Sequence, residues 1–178
     1  YYNYAVGQSS EPGSTFKLPT LMAAIEDGYV DLEDSINTGN GVYEYYDLTI
    51  RDDNYMHGGH GKISVEEVFE LSSNIGMAKI ITSAYKDRPN RFVDRLYSMN
   101  LNEPLSISIK GEGKPMIRYP GDKFWSGVTL ATMSYGYEVK LTPLQILAFY
   151  NAIANDGMMV RPRFAREIRN HGKLEWTF

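Results

Sequence analysis

The 178-residue sequence contains no cysteine, which excludes disulfide bonds, thiolate zinc sites, iron–sulfur clusters and cysteine nucleophiles. It also contains no apolar run near the roughly 18 to 20 residues that a membrane-spanning helix needs. A basic excess is missing too: 22 acidic residues outnumber 18 basic ones, which argues against nucleic acid as the main partner. The sequence starts without a methionine or a signal segment, and we interpret it as part of a longer protein.

Helical patterns dominate what is present. Apolar residues recur at helical spacing from Ser14 to Asp27, a Ser64–Glu67 capping box opens a second helical region, and Pro89 begins a third. Residues 35–62 are rich in glycine, which predicts irregular structure with one or two small strands. The fold class that we expect is mostly α with small β segments.

The clearest helix is predicted from Pro143 to Asn155. Thr142 is a typical N-cap, proline suits the first helical position, and Gly157 follows the end. The apolar residues of this segment cover nearly the whole circumference, which predicts a helix buried by its neighbours. From Met159 onward a weak alternation predicts that the chain enters a strand.

The segment that carries chemistry is Glu11–Lys17, in which Ser14 and Lys17 stand three residues apart at a helix start. A serine hydroxyl becomes an effective nucleophile when a base takes its proton. A lysine acts as that base when burial or a nearby cation lowers its pKa. Ser-x-x-Lys also occurs often by chance, and the motif taken alone favours Ser14 as an ordinary N-cap over a catalytic role.

A second polar element, Ser72-Ser73-Asn74, interrupts the second helical region. At the edge of a cleft, Ser72 would relay a proton between the lysine and a leaving amine. Asn74 would hold a substrate amide and bond Lys17. The alternative is that Ser72 only caps the helix that follows.

Ser-x-x-Lys followed by Ser-x-Asn resembles two of the three motifs of penicillin-binding proteins and serine β-lactamases. The surrounding sequence resembles a class B penicillin-binding protein, in the expected order and over most of the chain. The matching segments are Asn3–Val6, Glu11–Lys17, Ile50–Asp52, His57-Gly58, Ser72–Gly76, Ser134–Tyr137, Leu141–Gln145 and Asn155–Gly157. The Ser-Ser-Asn-Ile-Gly form resembles the cell-division branch of that family.

The resemblance implies a peptidoglycan D,D-transpeptidase. Ser14 would attack the D-Ala–D-Ala amide of a stem peptide, with Lys17 as general base and Ser72 and Asn74 completing the proton network. Backbone N–H groups would hold the oxyanion, and β-lactams would acylate the same serine. The resemblance implies no metal or organic cofactor. It implies divisome proteins and a separate glycan polymerase as partners, and a catalytic domain in the periplasm or extracytoplasmic space of the bacterial envelope, anchored in the inner membrane through a segment outside this sequence.

The third motif of the family, Lys-Ser/Thr-Gly on an edge strand, does not occur in the sequence. We therefore expect residues 1–178 to form a partial transpeptidase domain, inactive by itself: the central helical part of the α/β fold, without its N-terminal start and its Lys-Ser/Thr-Gly strand. Two alternatives remain. One is a class D-like β-lactamase or β-lactam sensor, because Ser14-Thr15-Phe16-Lys17 also occurs in class D enzymes. The other is a non-catalytic interaction module on the same fold.

Overall fold

Helices form most of the regular structure in the computed structural model, which describes residues 2–177. They are α1 (Tyr4–Gly7), α2 (Lys17–Glu26), α3 (Val65–Glu70), α4 (Asn74–Tyr85), α5 (Pro89–Ser98), α6 (Thr129–Ser134) and α7 (Pro143–Ala154), with 3₁₀ turns at Gly13–Phe16 and Tyr55–His57. Within residues 2–177, none of these helices has both the length and the apolar character needed to cross a membrane.

The strands are short and form four antiparallel pairs. They are β1 (Ser35–Gly39), β2 (Val42–Tyr45), β3 (Leu48–Arg51), β4 (Gly61–Ser64), β5 (Met116–Ile117), β6 (Val139–Lys140), β7 (Glu167–Asn170) and β8 (Lys173–Thr177). β1 pairs with β4, β2 with β3, β5 with β6 and β7 with β8. The predicted class, mostly α with small β segments, is confirmed. Residues 35–62 hold β1, β2, β3 and the start of β4, which is more strand than the one or two segments predicted.

Two helix starts follow from local sequence. At α3, the Ser64 hydroxyl accepts the Glu67 N–H at 3.1 Å, and the Glu67 carboxylate accepts the Ser64 N–H at 2.8 Å. Thr142 and Gln145 form the same reciprocal pair at α7, ahead of Pro143 at the first helical position. Each box satisfies two N–H groups that have no intrahelical acceptor, so these boundaries are fixed by residues close in sequence.

The helix at the centre of the core is α4. Its buried residues are Ile75, Gly76, Met77, Ala78, Ile80, Ile81, Thr82 and Tyr85. The prediction that α7 is buried all round is wrong, since Leu147, Tyr150 and Ile153 are 63%, 37% and 39% exposed. Ala148, Phe149 and Ala152 face the interior instead. Apolar residues on every face of a helix do not guarantee that every face is buried. Burial of each face depends on whether the tertiary fold places another element against it.

Beyond α7 the chain enters the strand predicted after Met159. β7 and β8 form a hairpin in which Ile168 lies opposite Trp176. All the residues of both strands are exposed. The hairpin therefore adds no residue to the core around α4.

Candidate active site

The candidate nucleophile lies on the 3₁₀ turn at Gly13–Phe16, which runs directly into α2. The predicted helix from Ser14 therefore begins with a tighter turn, and the Lys17 N–H closes it on the Ser14 carbonyl. In a 3₁₀ turn, residues three apart eclipse each other, so Ser14 and Lys17 project from the same edge. Ser14 is exposed and makes no capping bond, because the caps of the turn and of α2 are Pro12 and Phe16. The N-cap interpretation of Ser14 is wrong.

A tyrosine on α7 supports this turn. Pro19, the third residue of α2, has no N–H to donate to the carbonyl of Thr15. The Tyr150 hydroxyl donates to that carbonyl instead, at 3.0 Å. The proline therefore leaves no carbonyl without a donor at this point, and the replacement bond connects α7 to the turn that carries Ser14.

The segment between α6 and α7 holds the approach to the turn. Ser10 and Leu141 exchange two backbone hydrogen bonds of 3.0 Å, and the Gly13 N–H donates to the Gly136 carbonyl at 3.1 Å. Gly136 has a φ of +89°, and a methyl group at its α-carbon would overlap the backbone of Gly13. Glycine is therefore required at 136 both by backbone conformation and by the closeness of the chain next to Ser14.

Lys17 is the buried member of the site, with 1% of its surface exposed. Its ammonium donates to the Ser72 hydroxyl at 2.9 Å and also contacts the Ser72 carbonyl. Desolvation lowers the pKa of Lys17 from 10.5 to about 8, against the opposing effect of the Asp52 and Asp53 carboxylates. A lysine with a pKa of about 8 is neutral in about a tenth of molecules at pH 7, far more than at a pKa of 10.5, and the neutral form is the one that acts as a general base.

Ser72 lies where α3 ends, in a conformation that glycine usually adopts. The Ser72 N–H donates to the Phe69 carbonyl at 3.0 Å and the Ser73 N–H to the Val68 carbonyl at 2.9 Å, which is the Schellman pattern. Ser72 stands at the left-handed position of this motif with a φ of +55°. That conformation costs a non-glycine residue about 1 to 2 kcal/mol. A strained serine facing a buried lysine is typical of a functional position.

The other two residues of the triplet begin α4. Ser73 is the N-cap, since its hydroxyl accepts the Gly76 N–H at 2.9 Å, so the interpretation of Ser72 as that cap is wrong. The Asn74 amide donates to the Arg51 carbonyl at 2.9 Å. Among residues 2–177, Asn74 forms no hydrogen bond to Lys17, contrary to the sequence-based expectation.

Asp52, which has no role in the sequence-based prediction, is 2% exposed and contacts this triplet. Its Oδ2 accepts the Ser73 hydroxyl at 2.8 Å, and its Oδ1 accepts the Ile75 N–H at 3.0 Å. A buried aspartate partnered by a helix start is invisible in a linear sequence, because the two segments are distant along the chain. The only signal was its place in the Ile50–Asp52 segment.

The structure thus brings Lys17 of the first motif and Ser72 of the second into contact. The Ser14 hydroxyl is exposed and makes no hydrogen bond within residues 2–177, so it is open to a substrate. The Ser14 N–H lies in the first turn, where N–H groups lack intrahelical acceptors and suit an oxyanion. No cluster of three or more His, Asp or Glu side chains suited to a metal occurs in the described part of the chain. An exposed serine and a buried lysine three residues apart are the residue types that serine acyl-transfer sites with a lysine base use.

Comparison with known proteins gives the family. The model for the penicillin binding protein transpeptidase domain matches residues 1–177. The chain belongs to this family, which confirms the resemblance that the motifs indicated.

Individual relatives agree with this assignment. The penicillin-binding protein PbpB of Mycolicibacterium smegmatis is 30% identical over 164 residues, covering 92% of this chain and 24% of that protein. The peptidoglycan D,D-transpeptidase FtsI of Buchnera aphidicola is 30% identical over 156 residues, covering 88% of this chain and 26% of that protein. The chain spans about a quarter of the length of these relatives.

A solved structure shows the same fold. The apo transpeptidase domain of penicillin-binding protein 3 from Burkholderia pseudomallei superposes with a TM-score of 0.78 at 30% identity, covering 89% of this chain and 45% of that one. The similarity confirms the fold class of a penicillin-binding transpeptidase domain over 89% of this chain.

Proposed function

We propose that the protein containing this chain is a peptidoglycan D,D-transpeptidase that works through an acyl-enzyme on Ser14 and is a target of β-lactams. Ser14 attacks the D-Ala–D-Ala amide of a donor stem peptide while Lys17 takes the hydroxyl proton. Terminal D-alanine leaves with a proton delivered through Ser72. An amine of a second stem peptide then attacks the ester, forming the cross-link and regenerating Ser14.

The observation that carries this proposal is the bond between Lys17 and Ser72. These residues belong to different motifs, yet the ammonium of Lys17, a side chain that is 1% exposed, donates to the Ser72 hydroxyl at 2.9 Å. A structural lysine would extend its ammonium into solvent, because burying it costs free energy. A buried lysine that donates to the hydroxyl of a serine in the second motif is instead suited to moving a proton between nucleophile and leaving group.

The proposed reaction also requires parts of the protein outside this sequence. Family membership and the longer relatives support a Lys-Ser/Thr-Gly strand beyond residues 1–178 that completes the oxyanion site, which makes this chain alone inactive. They also support a catalytic domain in the extracytoplasmic space, anchored in the inner membrane. The Ser72–Gly76 sequence favours a role in cell division, with divisome proteins and a separate glycan polymerase as partners.

Covalent labelling of the full-length protein with a fluorescent penicillin tests the central proposal. We expect labelling of the wild type, complete loss in the Ser14→Ala variant, and a loss of at least about a hundredfold in rate for Lys17→Ala. Thr15→Ala is a matched control, because Thr15 is a neighbouring exposed hydroxyl that donates only to the Pro12 carbonyl. It should label at close to the wild-type rate.

Three results contradict the proposal. Absence of labelling in the folded wild-type protein would show that the site does not form an acyl-enzyme. Retained labelling of Ser14→Ala would show that another residue is the nucleophile. Sustained turnover of the β-lactam, in place of a stable adduct, would support the β-lactamase alternative.

A further inference from the structure

The buried carboxylate of Asp52 contacts Ser73 and Ile75, the residues on either side of Asn74, yet no step of the proposed reaction uses it. We propose that Asp52 is a positioning residue, whose carboxylate fixes the start of α4 and so holds Ser72 and Asn74 in register with Lys17. This inference rests on the proposed function, since its consequence is measured as the rate of acylation.

The contacts of Asp52 account for both of its oxygens. Oδ2 accepts the Ser73 hydroxyl at 2.8 Å and Oδ1 accepts the Ile75 N–H at 3.0 Å, so the carboxylate holds the residues on either side of Asn74. Hydrogen bonds to an ionised acceptor are the stronger kind, and a carboxylate at a helix N-terminus also meets the positive end of the helix dipole. The helix start is therefore bound to this one side chain.

The backbone of residues 51 and 52 is also hydrogen-bonded, both to Gly41 and to Asn74. The Asp52 N–H donates to the Gly41 carbonyl at 3.1 Å, and the carbonyl of the preceding Arg51 accepts the Asn74 amide at 2.9 Å. Residues 51 and 52 thus bind the Ser73–Ile75 segment at three points. Ser72 comes immediately before that segment, in a left-handed conformation that local sequence disfavours. A fixed helix start explains how this conformation is maintained.

Asp53 provides a matched control for charge. Both the Asp52 and the Asp53 carboxylates raise the pKa of Lys17, opposing the larger desolvation effect. Asp53, however, has a side chain that is 84% exposed, and its ion-pair partner is His60 at 3.6 Å. Neutralising Asp53 removes a negative charge near Lys17 and leaves the start of α4 intact.

The test is the rate of acylation by a fluorescent penicillin across pH 6 to 10, using full-length protein and normalising to the fraction that labels at saturation. For Asp52→Asn we expect the high-pH plateau to fall between about tenfold and a hundredfold, because a small displacement of catalytic groups has effects of this size. For Asp53→Asn we expect a plateau within twofold of the wild type. Both variants should reach half of their own plateau at a lower pH than the wild type, since a charge that favours protonated Lys17 is gone.

Ser73→Ala keeps the Asp52 charge but removes the bond to Oδ2. We expect its plateau to fall by at least fivefold with an unchanged pH midpoint, and this variant carries the test if Asp52→Asn does not fold. Plateaus within twofold of the wild type for the folded Asp52→Asn and Ser73→Ala proteins, whatever their melting temperatures, would overturn the proposal. An equal plateau loss in Asp53→Asn would overturn it too. Failure of the proposed function is distinct, because the wild type itself would then remain unlabelled or Ser14→Ala would label.

Discussion

Replacing Lys17 by methionine should abolish acylation and at the same time change how the stability of the protein depends on pH. Lys17 is 1% exposed, and its pKa falls from 10.5 to about 8, mainly through desolvation. The unfolded chain therefore binds a proton more tightly at this position than the folded one does. Below about pH 8, Lys17 is protonated in both states, and its lowered pKa then destabilises the folded state in full. The cost is about 3 kcal/mol, because each unit of pKa difference is worth about 1.4 kcal/mol.

The sign of the effect follows from that order of pKa values. As pH rises from about 8 to 10.5, the unfolded chain loses its advantage in proton binding, so the wild type gains about 3 kcal/mol relative to the Lys17→Met variant. Methionine has a similar length, no charge and no donor, so it keeps the packing. The variant loses two hydrogen bonds to the exposed Ser72, each worth about 1 kcal/mol net. At pH 7 we expect it to equal or slightly exceed the wild type in stability.

The assay is urea unfolding of both full-length proteins at pH 7, 8, 9, 10 and 10.5, followed by tryptophan fluorescence. The informative quantity is the difference in free energy of unfolding between the two proteins at each pH, because the other lysines and the tyrosines titrate in both and cancel. A difference that stays constant from pH 7 to 10.5 would refute the reasoning, since it would mean that folding does not change the pKa of Lys17.

Two further predictions concern the backbone around the site. Gly136→Ala should lower the rate of acylation at least tenfold, because the added methyl group overlaps the backbone of Gly13, whereas Gly121→Ala, at a φ of +97° with open space around it, should cost stability without affecting the rate of acylation. Thermal unfolding and penicillin labelling check both, and equal rates in the two variants would contradict the assigned contact. Ser72→Gly and Ser72→Ala should both label slowly, but the glycine variant should be more stable by about 1 kcal/mol because residue 72 has a positive φ. Equal stability of the two variants would indicate that this conformation is not strained.

Local sequence predicted the parts of the fold that depend on neighbouring residues. The Ser64–Glu67 box, Thr142 before Pro143, and the break at residues 72–74 were all correctly predicted, because caps and breaks arise from side chains within a few residues of the backbone groups they satisfy. α6 was not predicted, since Thr129–Ser134 has neither a side-chain cap nor a marked apolar periodicity. Its position depends on packing against α4.

In the candidate site, too, some features were predictable from the sequence and others depend on tertiary contacts. Ser14, Lys17, Ser72 and Asn74 were selected from motifs and a family resemblance, and the structure brings Lys17 and Ser72 into contact. The contact of Asp52 with the start of α4 depends on a segment more than 20 residues away along the chain. No spacing rule links a side chain on one segment to a helix start on another.

The destabilising features of this site share one physical requirement. A desolvated Lys17 and a left-handed Ser72 each raise the free energy of the folded state, and each is compatible with folding only if the rest of the domain fixes it. The fixing element is α4, whose interior residues Ile75, Met77 and Ala78 are completely buried. Its first turn is bound by the Asp52 carboxylate directly beside Ser72. A helix with a buried interior therefore begins at the strained motif, and it holds Ser72 against the lysine before any substrate arrives.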